Sequence, residues 1–268
     1  MKIPFTKAHG ARNDFLFTWR RDAPDPAAGD PAALARAICD RHAGIGADGW
    51  MLVDPPCDAD AEGTIQLYNS DGSIAEMSGN GTRCAAAFLI RHGHAAGVVR
   101  VRTGAGVKTL RLLERRALWF EFEMNMGCPD VTAASFPLQL PWGPRDVTIL
   151  WVGNPQCAVP VELFDFDWRA LGAEIERHPH FPNRTNVSFV RVVDEHTIDV
   201  RFWERGAGET MSSGTGSTGA AAMAVARGFV TSPVRVLTAA GPIDLRFDGD
   251  VYLTGPAEIV AEGEFFWE

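Results

Sequence analysis

The chain has 268 residues, of which 46% are hydrophobic, and a formal charge of −9 at neutral pH. This composition excludes disordered and fibrous classes and allows one large domain or two domains of about 130 residues each. The acidic balance argues against a nucleic-acid partner, because binding to phosphates requires a basic face. No segment resembles a signal peptide or a long apolar span, which predicts a cytoplasmic protein without a membrane partner.

The first predicted element in chain order is an amphipathic helix that follows Asp30. Aspartate is a favourable N-cap and Pro31 suits the first helical position. The apolar residues that follow fall on one face, namely Ala33, Leu34, Ala37 and Ile38. This pattern is that of an amphipathic helix.

Most of the remaining chain alternates short strand-like segments with Gly, Pro, Asn and Asp. A strand at Thr64–Tyr68 ends at a turn over residues 69–72. Strands at 187–193 and 197–203 predict a hairpin, and strands at 243–247 and 251–254 flank a turn at Asp248–Asp250.

Two further helices, at about 81–92 and 216–228, are apolar nearly all round. Such helices are buried on most sides, and in a strand-rich chain each would be wrapped by its own sheet. They begin alike, because residues 78–87 and 213–222 share the pattern Ser-Gly-x-Gly-x-x-x-Ala-Ala-Ala without gaps. This repeat predicts an internal duplication with a boundary at 115–130, giving halves 1–122 and 123–268 whose chain ends could cross over.

The repeated element has the properties of an anion site. A glycine-rich turn that opens a helix presents backbone N–H groups and the positive end of the helix dipole. Two such helix starts at a cleft would hold a small anionic ligand. The alternative is that serine and glycine merely cap two core helices.

Other chemistries fit the sequence poorly. Residues 214–219 spell Gly-x-Gly-x-x-Gly but follow a polar segment rather than a strand, so a dinucleotide site is not predicted. The chain has only three lysines, and none lies in a phosphate-binding context, which argues against pyridoxal phosphate. The five cysteines form no Cys-x-x-Cys pair, and the close histidine pairs lie beside helix ends. We therefore expect no cofactor, no metal and no disulfide framework.

At the repeated helix starts the sequence resembles the diaminopimelate epimerase family, over almost its whole length. The matching segments, in order, are Lys7–Phe15, Gly44–Gly49, Asn69–Ser73, Gly79–Cys84, Gly153–Pro155, Phe181–Asn186, Glu204–Thr210 and Gly214–Gly216. The resemblance implies an α/β (α+β) fold of two pseudo-symmetric halves, each a barrel-like mixed sheet around a buried central helix. It also implies cofactor-independent inversion of the α-carbon at one end of diaminopimelate, from LL to meso, in the interdomain cleft. The resemblance leaves open whether the protein forms a homodimer.

The resemblance assigns roles residue by residue. The two acid/base positions correspond to Ser78 and Ser213, with Glu204 beside them. The reacting carboxylate would be held at the helix starts by Gly79, Asn80, Gly214 and Thr215. The rest of the substrate would be contacted by Asn13, Asn69, Asn154, Asn186, Glu204 and Arg205. Each of these could instead be a turn asparagine or a surface ion pair.

The chain departs from the family pattern at its reacting positions. The family has cysteines where this chain has Ser78 and Ser213, and a histidine where it has Gln156. A thiol ionises near neutral pH, whereas a serine hydroxyl needs a dedicated base. Arg12 occupies a position where glycine is usual, and Cys84 and Cys157 lie off the reacting positions.

Four interpretations remain open. The chain could be an epimerase that works with serines, or a relative with other chemistry such as racemisation, a proton-shift isomerisation or a dehydration. It could also be a non-catalytic amino-acid-binding protein, or a laboratory variant in which cysteines were replaced by serines. The paired change at both positions favours a coordinated shift over random decay.

Overall fold

A computed structural model describes residues 1–25, 29–56, 59–141 and 143–267, so that Cys57 lies outside the described residues. The chain divides into two compact units. The first comprises Met1–Met124 and Gly255–Glu268, and the second comprises Asn125–Thr254. The expected halves placed 255–268 in the second half while allowing the chain ends to cross over, and in the structure this segment belongs to the first unit.

Within the described ranges, the first unit contains two α-helices, one 3-10 turn and nine strands, of which the last two extend into the second unit. The helices are α1 (Pro31–Cys39) and α2 (Gly79–Arg91), and the 3-10 turn is Arg20–Asp22. The strands are β1 (Lys2–Gly10), β2 (Asn13–Trp19), β3 (Gly49–Asp54), β4 (Gly63–Asn69), β5 (Ile74–Ala75), β6 (Val98–Thr103), β7 (Gly106–Arg116), β8 (Trp119–Gly127) and the later part of a final strand numbered β17 (Asp250–Phe266).

Eight of these strands form a closed ring. The order of pairing is β1, β2, β3, β4, β6, β7, β8 and β17, with β17 pairing back onto β1. Two pairings are parallel, β2 with β3 and β4 with β6, and the ring is therefore mixed. α2 contacts β1, β2, β6 and β7, and every residue from Gly79 to Ile90 is buried. The first unit is thus a barrel built around a central helix.

The second unit repeats this plan with its own helices and strands. Its helices are α3 (Trp168–Glu176) and α4 (Gly214–Ala226). Its strands are β9 (Asp130–Leu140), β10 (Gly143–Trp151), β11 (Pro155–Pro160), β12 (Asn186–Asp194), β13 (Thr197–Glu204), β14 (Gly208–Thr210), β15 (Val234–Thr238), β16 (Gly241–Asp248) and the start of β17.

α4 is the central helix of the second unit. The sheet runs β9, β10, β11, β12, β13, β15, β16 and β17, with parallel pairs at β11–β12 and β13–β15. α4 contacts seven of these strands, and its residues from Gly214 to Ala224 are buried. The expected α+β fold of two similar halves, each with a wrapped helix, is confirmed.

The predictions that depend on a few consecutive residues, namely helix caps, hairpins and helix starts, were confirmed. Asp30 caps α1 by accepting a hydrogen bond from the N–H of Ala32 at 2.9 Å. β12 and β13 form the expected antiparallel hairpin, and β16 and β17 turn over at Gly249. α2 and α4 begin two residues earlier than expected because the preceding serine supplies the cap.

α3 was not predicted from the sequence. Its signals were present, because Asp167 caps it by accepting from the N–H of Ala170 at 3.0 Å. Its buried residues Trp168, Leu171 and Ile175 lie at helical spacing, and the helix packs against β12 and β13. Within the described residues, no helix is both long and apolar enough to cross a membrane.

The tight turn between β1 and β2 predicts a stability effect. Ala11 and Arg12 have φ angles of 49° and 63°, in the left-handed region that favours glycine. A non-glycine residue in this conformation destabilises the folded state by about 1–2 kcal/mol. Glycine avoids this strain, but its greater conformational freedom in the unfolded chain offsets part of the gain in stability. We expect Arg12→Gly to raise the free energy of unfolding by up to about 1 kcal/mol in urea titrations.

The matched control is Arg111→Gly, at an exposed position of β7. This change should lower the free energy of unfolding, because glycine weakens a regular strand. A loss of stability in both variants would contradict the argument from backbone conformation.

Candidate active site

Ser213 caps α4 and is hydrogen-bonded to a carboxylate. Its Oγ accepts from the N–H of Gly216 at 3.1 Å and donates to Glu204 Oε2 at 2.8 Å. The other oxygen of Glu204 accepts from Thr210 Oγ1 at 2.7 Å. Ser213 is buried, with 2% of its surface exposed. The hydroxyl of Ser213 therefore has an adjacent group that can take its proton.

Ser78 occupies the equivalent position before α2, but its hydroxyl has a different environment. Its backbone angles, φ −128° and ψ 124°, nearly repeat those of Ser213 at φ −138° and ψ 124°. Ser78 Oγ accepts from the N–H of Gly81 at 3.1 Å. Over the described ranges, no acceptor receives the Ser78 hydroxyl proton. The two serines are thus equivalent as caps, but among the described residues only the hydroxyl of Ser213 donates to a carboxylate.

The start of α4 leaves backbone donors available. The cap engages the N–H groups of Gly216 and Ser217, the latter donating to the carbonyl of Ser213 at 2.9 Å. The N–H groups of Gly214 and Thr215 have no acceptor in the part of the chain that is described. Both residues are buried at the positive end of the helix dipole, which is a favourable position for a carboxylate.

Asn13 and Asn80 are each held in one orientation by neighbours in the first unit. Arg83 Nη2 donates to Asn80 Oδ1 at 2.5 Å, and Asn80 Nδ2 donates to Asn13 Oδ1 at 3.2 Å. Asn13 Nδ2 in turn donates to Asp48 Oδ2 at 2.6 Å. Every donor in this series points from the guanidinium toward the carboxylate, so neither amide can reverse without losing hydrogen bonds.

Arg83 is a fully buried cation beneath the first turn of α2. Its remaining hydrogen bonds go to the carbonyls of Gly79 and Pro256, at 3.3 and 3.2 Å. Burial lowers its pKa to about 10, which still leaves the guanidinium charged at neutral pH. The charge reinforces the positive potential at the helix start. A role for Arg83 was not predicted from the sequence, although a charged residue within an apolar helix was a usable signal.

Asp48, at the other end of the series, belongs to a cluster of charges. Burial would raise the pKa of Asp14, but hydrogen bonds and charges from Arg41 and Lys7 outweigh it, so this pKa is lowered. Burial and the nearby charge of Asp14 raise the pKa of Asp48. Arg41 Nη2 lies 2.7 Å from an oxygen of each carboxylate. This ion cluster fixes the acceptor that orients Asn13.

Gln156 acts on Asn154 rather than as an acid/base group. Gln156 Nε2 donates to Asn154 Oδ1 at 2.6 Å, and Asn154 Nδ2 donates to Thr215 Oγ1 at 3.4 Å. Both amides are buried, and Gln156 Oε1 has no hydrogen-bond partner among the described residues. An amide cannot take a proton as an imidazole would. Gln156 therefore orients Asn154 toward the start of α4.

The remaining predicted contacts lie in two places. Asn186 Oδ1 accepts from the N–H of Arg205 at 3.0 Å, and its Nδ2 donates to the carbonyl of Pro155 at 2.9 Å. Asn186 thus joins the Arg205 turn to the loop that carries Asn154. Asn69 Nδ2 donates to Ser73 Oγ at 3.0 Å, within the turn that follows β4.

The buried cysteines are not acid/base groups. Cys84 and Cys157 are fully buried on α2 and β11, and burial raises the pKa of Cys84 to about 12. Burial also raises the pKa of Cys157, and the pKa of Cys39 is raised to about 12. Their burial makes Cys84 and Cys157 core residues.

The family model and the similar sequences all point to diaminopimelate epimerases. The model of the diaminopimelate epimerase family matches residues 5–131 and 148–260. A diaminopimelate epimerase of Pelotomaculum thermopropionicum is 38% identical over 278 residues, covering 97% of this chain and 98% of the relative. One of Pseudomonas fluorescens is 35% identical over 280 residues, covering 98% and 99%. A solved probable proline racemase of Agrobacterium radiobacter matches with a TM-score of 0.76 at 17% identity, over 97% and 92% of the two chains.

Thiol reactivity tests which cysteines are buried. In a Cys57→Ser background, we expect one thiol of the native protein, the exposed Cys128, to react with a chromogenic disulfide reagent at pH 8. The thiols of Cys39, Cys84 and Cys157 are buried and have raised pKa values, so they stay protonated and inaccessible. All four thiols should react in denaturant. Rapid reaction of a second thiol in the native protein would contradict this assignment.

Proposed function

The chain belongs to the diaminopimelate epimerase family, and we propose that it inverts the α-carbon at one end of diaminopimelate, from the LL to the meso form. The family match supports an isomerase of the epimerase type that serves lysine biosynthesis. The observation that carries the proposal for this site is the hydrogen bond from Ser213 Oγ to Glu204 at 2.8 Å. It supplies the base that a serine needs in place of a thiol.

In the proposed reaction, Ser213 and Glu204 remove the α-proton. As Ser213 Oγ takes the proton from the α-carbon, the hydroxyl proton moves to Glu204, so the serine stays neutral and the carboxylate becomes a carboxylic acid. The electron pair of the broken C–H bond is delocalised into the substrate carboxylate. The N–H groups of Gly214 and Thr215 are placed to bind that carboxylate as its charge increases.

Ser78 is proposed to return a proton to the opposite face of the α-carbon. Its hydroxyl proton has no competing acceptor over the described ranges, and the N–H of Gly81 can stabilise the oxyanion that remains. The nearby charge of Arg83 acts in the same direction. A serine hydroxyl is a much weaker acid than a thiol, so we expect this step to limit the rate.

The proposed substrate contacts follow the family pattern. The helix starts at Gly79, Asn80, Gly214 and Thr215 bind the reacting carboxylate. The distal amino-acid end is contacted by Asn13, Asn69, Asn154, Asn186 and Arg205. The guanidinium of Arg205 suits a distal carboxylate because it can donate two parallel hydrogen bonds.

The difference between the two serines favours a second candidate function. The hydroxyl of Ser213 is paired to a carboxylate, whereas that of Ser78 has no acceptor in the described chain. Such a site suits a single base that removes a proton from the substrate and returns it on the same face of the molecule. Such chemistry moves a proton between two carbons of an amino or carboxylic acid without inverting the first carbon. The substrate would then be a relative of diaminopimelate with an adjacent double bond.

Proton NMR of LL-diaminopimelate with the purified protein in heavy water tests both candidates. The proposed function requires loss of the α-proton signal together with appearance of the meso form. Exchange without inversion would instead support the single-base alternative. Confirmed binding of diaminopimelate without exchange would leave a binding protein and would overturn the proposal.

Glu204→Gln should reduce the α-proton exchange rate by about 10²–10³-fold, because it removes the general base and leaves the shape of the side chain. The matched control is Glu209→Gln on the neighbouring strand β14, where the carboxylate forms an exposed ion pair with Arg169. That variant should exchange at the rate of the parent protein. Equal rates in all three proteins would exclude Glu204 as the base.

Ser78→Cys combined with Ser213→Cys should raise the rate of meso formation about 100-fold or more. The unperturbed thiol pKa of about 8.5 lies far closer to neutrality than that of a serine hydroxyl. Ser135→Cys, at an exposed position of β9, adds a thiol away from the site and should leave the rate unchanged. If the double variant gains nothing, Gln156 or a different substrate becomes the limiting difference from the family.

A further inference from the structure

We propose that Glu176, at the end of α3, is a positioning residue that holds the Glu204–Arg205 turn in its working geometry. This inference rests on the proposed function, in which Glu204 removes the proton and Arg205 binds the distal end. No role for Glu176 was predicted from the sequence. Its carboxylate is buried, with 2% of the side chain exposed, so its contacts are protected from water.

Three donors converge on the two oxygens of this carboxylate. Trp203 Nε1 donates to Oε2 at 2.8 Å, and the backbone N–H of Gly206 donates to Oε1 at 3.0 Å. The guanidinium of Arg184 also donates to Oε1 and neutralises the buried charge. A charge removed from water is tolerated only when it is paired and hydrogen-bonded in this way.

The positions of these donors explain what the carboxylate does. Trp203 immediately precedes Glu204 and Gly206 immediately follows Arg205, so one side chain fixes both flanks of the two residues. The N–H of Arg205 is held separately by Asn186 Oδ1 at 3.0 Å. The orientation of Glu204 toward Ser213 thus depends on a group that does not touch the reacting atoms.

The packing of α3 gives this anchor a rigid base. A side chain added at Gly172 would lie 2.8 Å from Trp203 Cβ, so α3 and β13 approach closely at that point. Trp168, Leu171 and Ile175 bury the same helix against the core of the second unit. Glu176 therefore connects a firmly packed helix to the turn that carries the proposed base.

Glu176→Gln is the informative substitution. Glutamine has nearly the same volume but one acceptor oxygen, and its NH₂ group would face N–H donors. We expect the rate of α-proton exchange at saturating diaminopimelate to fall at least 10-fold, with a smaller change in KM. Hydrogen exchange followed by mass spectrometry should show faster exchange in residues 203–210.

Two controls separate positioning from stability. Glu174→Gln makes the same change on the same helix, where the structure assigns the side chain no hydrogen bond or ion pair among the described residues. Ile175→Val weakens the packing of the fully buried Ile175 and lowers the melting temperature, but leaves the carboxylate contacts in place. Both controls should retain parental exchange rates in the folded protein and parental protection of residues 203–210.

The outcomes distinguish this inference from the proposed function. If the parent protein exchanges the α-proton and Glu176→Gln does so equally well, the positioning role is wrong. If the parent protein does not exchange it, the proposed function fails, and protection of residues 203–210 alone decides the role of Glu176. Unchanged protection in Glu176→Gln would then overturn it, and a local loss that both controls lack would support it.

Discussion

The two central helices depend on one interaction, the hydrogen bond that the N–H of the third helical residue donates to a serine hydroxyl. A helix that starts inside a sheet cannot leave its first N–H groups to water, so its cap must come from the chain itself. Ser78 and Ser213 supply that cap with nearly the same backbone angles. In the proposed reaction the same hydroxyls are the acid/base groups, so structural and chemical demands fall on one hydroxyl in each unit.

The surroundings of the two caps show how a duplicated element can diverge. In the second unit the hydroxyl faces Glu204, and the carboxylate is in turn positioned by residues from β13, β14 and α3. In the first unit the main charge near the cap is the buried cation Arg83. In the proposed reaction the site at Ser213 accepts a proton, and the site at Ser78 stabilises a negative charge. Glu204 comes from outside the repeated segment, whereas Arg83 lies within it, at the position that Thr218 occupies in the second unit.

Much of the fold could be predicted from short-range signals. The cap at Asp30, the hairpin before and after His196, and the repeated helix starts each depend on a few consecutive residues. α3 was missed, although it had a cap and a helical pattern, because it lies within a segment rich in proline and aspartate. The orientation of the site amides was beyond sequence reasoning for a different reason. Asn13 is fixed by Asp48 and Asn80, which are 35 and 67 residues away, and Glu176 bonds a turn 30 residues away.

The return of the chain's end to the first unit has a consequence for how the protein is made. The second unit is one continuous segment, Asn125–Thr254, whereas the first needs residues from both ends of the chain. β17 supplies a strand of its ring, and Pro256 supplies an acceptor for the buried Arg83. During synthesis from the N-terminus, the second unit can therefore complete its core while the first still lacks a strand. Loss of the segment from Gly255 onward would leave a gap in the ring of the first unit and remove one hydrogen-bond acceptor of the buried Arg83.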